Sequence, residues 1–224
     1  MQYEIEIKSL LDSQKAADDL LAKVRAKDPS MKLVSQQHQL NHYFKDGTLA
    51  MLAQEFENCL TADQLAQIDQ INHRARNVNV RTREKNKRDV LLVIKGALNE
   101  GSAAHGHHRM EFEALLPISI EELDSKIIKS GWKLEAKWQA DRKIYEALGL
   151  TLDMVFTPGY GYFVEFEKVV YDDIDREAAH NQLLEQMESL GAYELSPDRL
   201  ERMFSYYNNH WQEYYGTKKV FVVK

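Results

Sequence analysis

Residues 3–8 read Tyr3-Glu4-Ile5-Glu6-Ile7-Lys8. In an extended strand, side chains alternate between faces, so Tyr3, Ile5 and Ile7 fall on one side and Glu4, Glu6 and Lys8 on the other. A charged strand face can simply look at water. It can also line a polar cavity that handles a metal and an anion, and the rest of the chain decides between the two.

The same split recurs strand after strand. Arg81 and Arg83 lie opposite Val80 and Thr82, and Lys95 lies opposite Leu92 and Ile94. Arg109, Glu111 and Glu113 oppose Met110 and Phe112; Asp153 opposes Leu152 and Met154; Glu165 and Glu167 oppose Val164 and Phe166. The signs are sorted: paired acids on the first and last strands, cations on the middle pair. An ordinary solvated sheet face mixes its polar residues with little order. Like charges two residues apart repel unless a cation sits among them.

A closed antiparallel barrel of about eight strands, its charged faces inside and helices packed on its apolar outside, would gather these residues into a tunnel. The expected class is α+β. Carboxylate oxygens suit Mg²⁺ or Mn²⁺, while arginine forks and lysine suit phosphate oxygens. Acids and bases together point to a polyphosphate ligand bridged by metal.

Composition is consistent with such a protein. The 224 residues are 44% hydrophobic, enough for a real core, and the formal charge of −6 argues against general affinity for nucleic acid or acidic membranes. The one cysteine, Cys59, rules out an internal disulfide and suits a reducing compartment. No apolar run approaches 18 residues and the first residues show no signal-peptide pattern, so the expected location is cytoplasmic.

The remaining elements follow from periodicity. Helices are predicted at 12–26 with Asp12 as N-cap, at 48–58 and 61–73 with Thr61 and Gln64 as a capping box, after Ser119, and at 175–190 and 197–214. No linker or repeat divides the chain, so one domain is expected over 1–224, with a helical insert at about 48–73 and C-terminal helices at about 175–214. The last helix carries Leu200, Met203, Phe204, Tyr207 and Trp211 on one stripe, which reads first as core and second as a homodimer contact.

Glu4-Ile5-Glu6-Ile7-Lys8 resembles the ExExK signature of the CYTH superfamily, the triphosphate tunnel metalloenzymes, which includes class IV adenylyl cyclases, thiamine triphosphatases and inorganic triphosphatases. VRTRE (80–84) looks like the family's paired-arginine strand, LLVIKG (91–96) its lysine strand, and RMEFE (109–113) its R-x-E-x-E strand. LTLDMV (150–155) is similar to the aspartate strand and GYFVEFE (161–167) to the last E-x-E strand.

The resemblance implies metal binding by Glu4, Glu6, Glu165 and Glu167, with Asp153 and Glu111 or Glu113 contributing. Glu113 or Asp153 would accept a proton from water. Lys8, Arg81, Arg83, Lys95, Arg109 and Arg142 would hold phosphates. A lysine-arginine cluster common in the family is Ala140-Asp141-Arg142 here, so one cation of it remains. The implied activity is metal-dependent hydrolysis of an inorganic or organic triphosphate. The alternatives are a class IV adenylyl cyclase making cyclic AMP from ATP and a non-catalytic polyphosphate-binding module.

Other features have blander readings. His105, His107 and His108 lie in a Gly/Ala-rich loop and read as surface residues. Trp132 and Trp138 read as packing before they read as a platform for a base.

Overall fold

The structure, a computed structural model, describes residues 2–97, 109–171 and 176–221. His105, His107 and His108 lie outside them. The described elements are strands β1 (Gln2–Leu11), β2 (Lys32–Lys45), β3 (Arg76–Lys85), β4 (Asp89–Ala97), β5 (Arg109–Leu116), β6 (Lys133–Ala147), β7 (Leu150–Thr157) and β8 (Gly161–Tyr171). With them are helices α1 (Gln14–Lys27), α2 (Leu49–Glu55), α3 (Ala62–Arg74), α4 (Ile120–Lys129), α5 (Arg176–Leu190) and α6 (Pro197–Tyr214).

The strands form one sheet in the order β1-β8-β7-β6-β2-β3-β4-β5. The class is α+β, as expected, but the closed barrel is not found. β1 and β5 end the order, and no pairing joins them among the described residues. The physical reason is that period-2 alternation reports which face is buried and says nothing about whether the end strands pair. The acids of the first and last strands still meet, because β8 lies beside β1.

The chain forms two compact units, Met1–Gln37 with Ala140–Lys224, and His38–Gln139. In the first unit, β1 pairs antiparallel with β8, placing Glu6 opposite Glu167 and Lys8 opposite Glu165. β7 then places Asp153 opposite Glu165 on the other edge of β8. The apolar faces bury Ile7, Leu152, Val164 and Phe166 against Leu20 and Val24 of α1 and Leu183 and Met187 of α5. Each such side chain contributes about 1.5–3 kcal/mol, and a one-residue slip would bury the charges instead.

α1 is capped by Ser13, whose hydroxyl accepts from the Ala16 N–H, and not by Asp12. Leu148 and Gly149, at φ 57° and 71°, close the β6–β7 hairpin in the left-handed region that such two-residue turns require. Asp28 steadies that turn by accepting from the Leu148 N–H at 2.6 Å.

In the second unit β2, β3, β4 and β5 run as an antiparallel meander. Asn86 and Lys87 turn β3 into β4 at φ 55° and 56°. Asn86 ties the turn to β2: its backbone N–H donates to the His38 carbonyl, and its side-chain oxygen accepts from the His38 N–H, both at 2.8 Å. Phe44, Val80, Leu92, Ile94 and Phe112 pack beneath Leu52 of α2, Ile68 and Ile71 of α3, and Leu123 and Ile127 of α4. The Thr61–Gln64 capping box is formed at α3. Among the described residues no helix is long and apolar enough to cross a membrane.

Candidate metal and anion centres

The acid pairs of β1 and β8 converge because the register puts Glu6 directly across from Glu167 and Glu165 one pleat further along. Glu6, Glu165 and Glu167 each present a carboxylate oxygen, and the three lie within 4.8 Å of one another. Asp153 stands next to Glu165 on β7, almost fully buried, and among the described residues its Oδ1 has no hydrogen-bond partner. Oxygen donors at that spacing, beside an orphaned buried carboxylate atom, fit a hard divalent cation such as Mg²⁺ or Mn²⁺. Glu4 shares the face parity of Glu6 and lies at the register position opposite Val169.

Two cations sit among these acids. Lys8 Nζ lies 2.6 Å from Glu165 Oε1 and also contacts Glu6 Oε1. Arg142, reaching diagonally from β6, donates from Nε to Asp153 Oδ2 at 2.7 Å and from Nη2 to Glu165 Oε2 at 2.6 Å. Burial pushes the Glu165 carboxyl up, but Lys8 and Arg142 outweigh it and hold it below its ordinary value. For Asp153 burial wins over Arg142 and the carboxyl is raised. Burial likewise opposes the Arg142 charge, yet Glu165 and Asp153 leave that guanidinium more basic than usual.

The second unit carries the cations of β3 and β4. Arg83 donates from Nε to Asn41 Oδ1 at 3.0 Å and from Nη1 to Glu113 Oε1 at 2.8 Å. Arg81 donates from Nη1 to the Tyr43 hydroxyl at 2.8 Å, while its buried Nε has no partner among the described residues. Burial and the neighbouring Arg81 charge lower the Arg83 pKa, with Glu113 acting in the opposite direction. Lys95 pairs with Glu111 at 2.8 Å. Arg109 lies at the β5 register position opposite Ala97. Crowded guanidiniums with an unfilled donor are suited to an oxyanion.

The sequence-predicted residues therefore divide. Glu6, Glu165 and Glu167 form one group, joined by Lys8, Arg142 and Asp153. Glu111 and Glu113 are each engaged by a cation of the second unit, Lys95 and Arg83. Sequence reasoning passed over Asn41 and Tyr43, which orient the two arginines from β2. It also passed over His42, whose Nδ1 lies 2.7 Å from Asp124 Oδ2 in a buried contact that Thr82 joins at 2.9 Å. The signal was present in Asn41-His42-Tyr43-Phe44, where polar residues fall on both faces of one strand. Trp132 is core, and Trp138 packs edge-on against Tyr43 with centroids 6.4 Å apart.

The CYTH domain family model matches residues 2–199, across both units. No curated protein matches the chain. Among solved structures it is similar to a conserved hypothetical protein of Pyrococcus furiosus, with 21% identity and TM-score 0.57 over 88% of this chain and 94% of that one. A Vibrio parahaemolyticus protein described as a candidate adenylate cyclase has 15% identity and TM-score 0.56, covering 91% and 98%. A Hippeastrum protein described as having a dominant triphosphatase activity has 18% identity and TM-score 0.51, covering 91% and 96%. At these identities the likeness is one of fold.

Proposed function

The chain belongs to the CYTH domain family, and from that premise we propose that it is a divalent-metal-dependent hydrolase of a triphosphate. The observation that carries the reading is the carboxylate trio Glu6, Glu165 and Glu167, with oxygens within 4.8 Å of one another. Binding alone would favour cations, so the full acid set argues against a module that only binds polyphosphate.

The roles divide by chemistry. Glu6, Glu165 and Glu167, with Glu4 from the same strand face, hold Mg²⁺ or Mn²⁺. The ion, when bound, supplies charge neutralisation and a water of lowered pKa. Arg81, Arg83 and Lys95, with Arg109 from the next strand, hold phosphate oxygens and offset the charge that spreads over them as the bond breaks. Lys8 and Arg142 balance the acids. Asp153 suits proton acceptance, because its Oδ1 has no partner among the described residues and burial raises its pKa. Glu113 instead holds Arg83 in place.

The test is purified protein with Mg²⁺ or Mn²⁺ and a panel of tripolyphosphate, thiamine triphosphate and ATP, with released phosphate and cyclic AMP both measured. Metal-dependent phosphate release supports the hydrolase. Cyclic AMP as the main product would replace it with a cyclase, and binding without turnover would replace it with a binding module.

A further inference from the structure

The trio that suits a metal already holds a cation of the chain itself. Lys8 Nζ lies between two of the three acids, 2.6 Å from Glu165 Oε1 and in contact with Glu6 Oε1. Glu165 Oε2 is taken by Arg142 at 2.6 Å, so both oxygens of this nearly buried carboxylate are committed to cations. A divalent ion on Glu165 Oε1 and Glu6 would stand within a few ångströms of the ammonium, where like charges repel strongly.

The two cations differ in how they are held. Arg142 is pinned by Asp153 as well as Glu165, and its rigid fork has both partners on neighbouring strands. Lys8 has a flexible four-carbon stem, and its side chain is 28% exposed, so it has somewhere to go.

We propose that Lys8 and the divalent ion compete for Glu6 and Glu165, so that metal binding displaces the ammonium and makes it available to a phosphate oxygen. The exchange rests on the metal reading above. It makes metal and triphosphate bind cooperatively, since each favours the conformation of Lys8 that the other needs. Lys8 is then a positioning residue with opposite effects on the two ligands.

The experiment is Mn²⁺ binding alone, followed by the electron paramagnetic resonance signal of free Mn²⁺, on the full chain. Lys8→Met is expected to bind Mn²⁺ on the order of tenfold more tightly than wild type, because the competing charge is gone. Lys8→Gln, which keeps a polar side chain, is expected to show the same gain and guards against a misfolded variant. The control is Lys168→Met: Lys168 neighbours Glu167 in sequence, but its Nζ reaches Gln182 at 3.4 Å on α5. It is expected to bind Mn²⁺ as wild type does. Calorimetry with tripolyphosphate and no metal should show the reverse for Lys8→Met, on the order of tenfold weaker binding. Equal or weaker Mn²⁺ affinity in both Lys8 variants overturns the exchange and leaves the metal reading standing. An equal gain in Lys168→Met also overturns it, as a general field effect. Absence of Mn²⁺ binding in all four proteins overturns both readings.

Discussion

Arg142 and Glu165 are joined by an Nη2···Oε2 hydrogen bond of 2.6 Å, while Nε of the same guanidinium binds Asp153 Oδ2 at 2.7 Å. One cation thereby laces β6, β7 and β8 together on the face that carries the acids. Both carboxylates are nearly buried, so neither can turn to bulk water if the guanidinium is lost.

Arg142→Met should therefore destabilise the protein by about 3 kcal/mol at pH 7, the low end for stranding buried charges, because the arginine is partly exposed. The pH dependence has a defined sign. Glu165 is held below its ordinary value, so its contribution is present above the ordinary carboxylate range and lost as pH falls through the folded value. Asp153 is raised, so it favours folding at low pH and loses that contribution as pH rises through its folded value. Removing Arg142 strands Asp153 and leaves Glu165 with Lys8 alone, and protonation relieves both carboxylates. The deficit measured by urea unfolding should shrink as pH falls from 7 toward 4. A deficit under about 1 kcal/mol at pH 7, the scale of a solvated pair, would contradict this reading.

Asp124 offers a test on the opposite face of β2 and β3. It binds His42 Nδ1 at 2.7 Å and accepts from Thr82 Oγ1 at 2.9 Å, with Lys137 Nζ at 3.8 Å, and so fastens α4 to the strands that carry Tyr43, Arg81 and Arg83. Asp124→Ala leaves two buried polar groups short of a partner and should cost about 2–3 kcal/mol. Thr82→Val, close in shape and removing one bond, should cost about 1 kcal/mol. Equal midpoints in guanidinium unfolding for wild type and Asp124→Ala would show that the contact carries no stability.

Asp28 reports on the β6–β7 hairpin. Its carboxylate accepts from the backbone N–H of Leu148 and from Ser30, and these bonds hold its pKa below the ordinary carboxylate value. A depressed carboxylate stabilises above its unfolded pKa and loses that contribution as pH falls through the folded one. Asp28→Asn should be less stable than wild type at pH 7, with the gap closing below about pH 3.8. Parallel thermal melts at pH 7 and pH 3 measure it; a gap that widens on acidification would reverse the assignment.

The charged strand faces were legible in the sequence because burial enforces period 2: Val80, Leu92, Phe112, Leu152, Val164 and Phe166 are each almost fully buried and mark the other side. The meeting of Glu6 with Glu167 was anticipated from a closed barrel, whereas β8 achieves it by lying beside β1 at one end of an open order. Alternation carries no information on edge pairing, so closure was not readable. Nor were the partners of Glu111 and Glu113. A glutamate on a polar face looks the same in sequence whether or not a lysine stands opposite it, and the β4–β5 register, with Lys95 opposite Glu111, supplies that partner. Tyr43 escaped notice because an aromatic on a strand reads as packing until the residue opposite it is known to be Arg81.

That pairing makes the most discriminating test of the anion centre. The Tyr43 hydroxyl accepts from Arg81 Nη1 at 2.8 Å, and the guanidinium carbon lies 5.5 Å from the centre of the ring. Tyr43→Phe removes the hydrogen bond and keeps the ring, which Trp138 holds edge-on at 6.4 Å. Arg81 then loses one restraint but not its charge. Tripolyphosphate affinity should fall about five- to tenfold, the worth of roughly 1 kcal/mol of lost orientation, with thermal stability near wild type. Arg81→Ala removes the charge itself and should cost about 2–4 kcal/mol of binding. Calorimetric titration of both variants orders the two effects. If Arg81→Ala binds tripolyphosphate as wild type does, the arginines of β3 do not hold phosphate. If only Tyr43→Phe is silent, Arg81 binds the anion without help from the ring's hydroxyl.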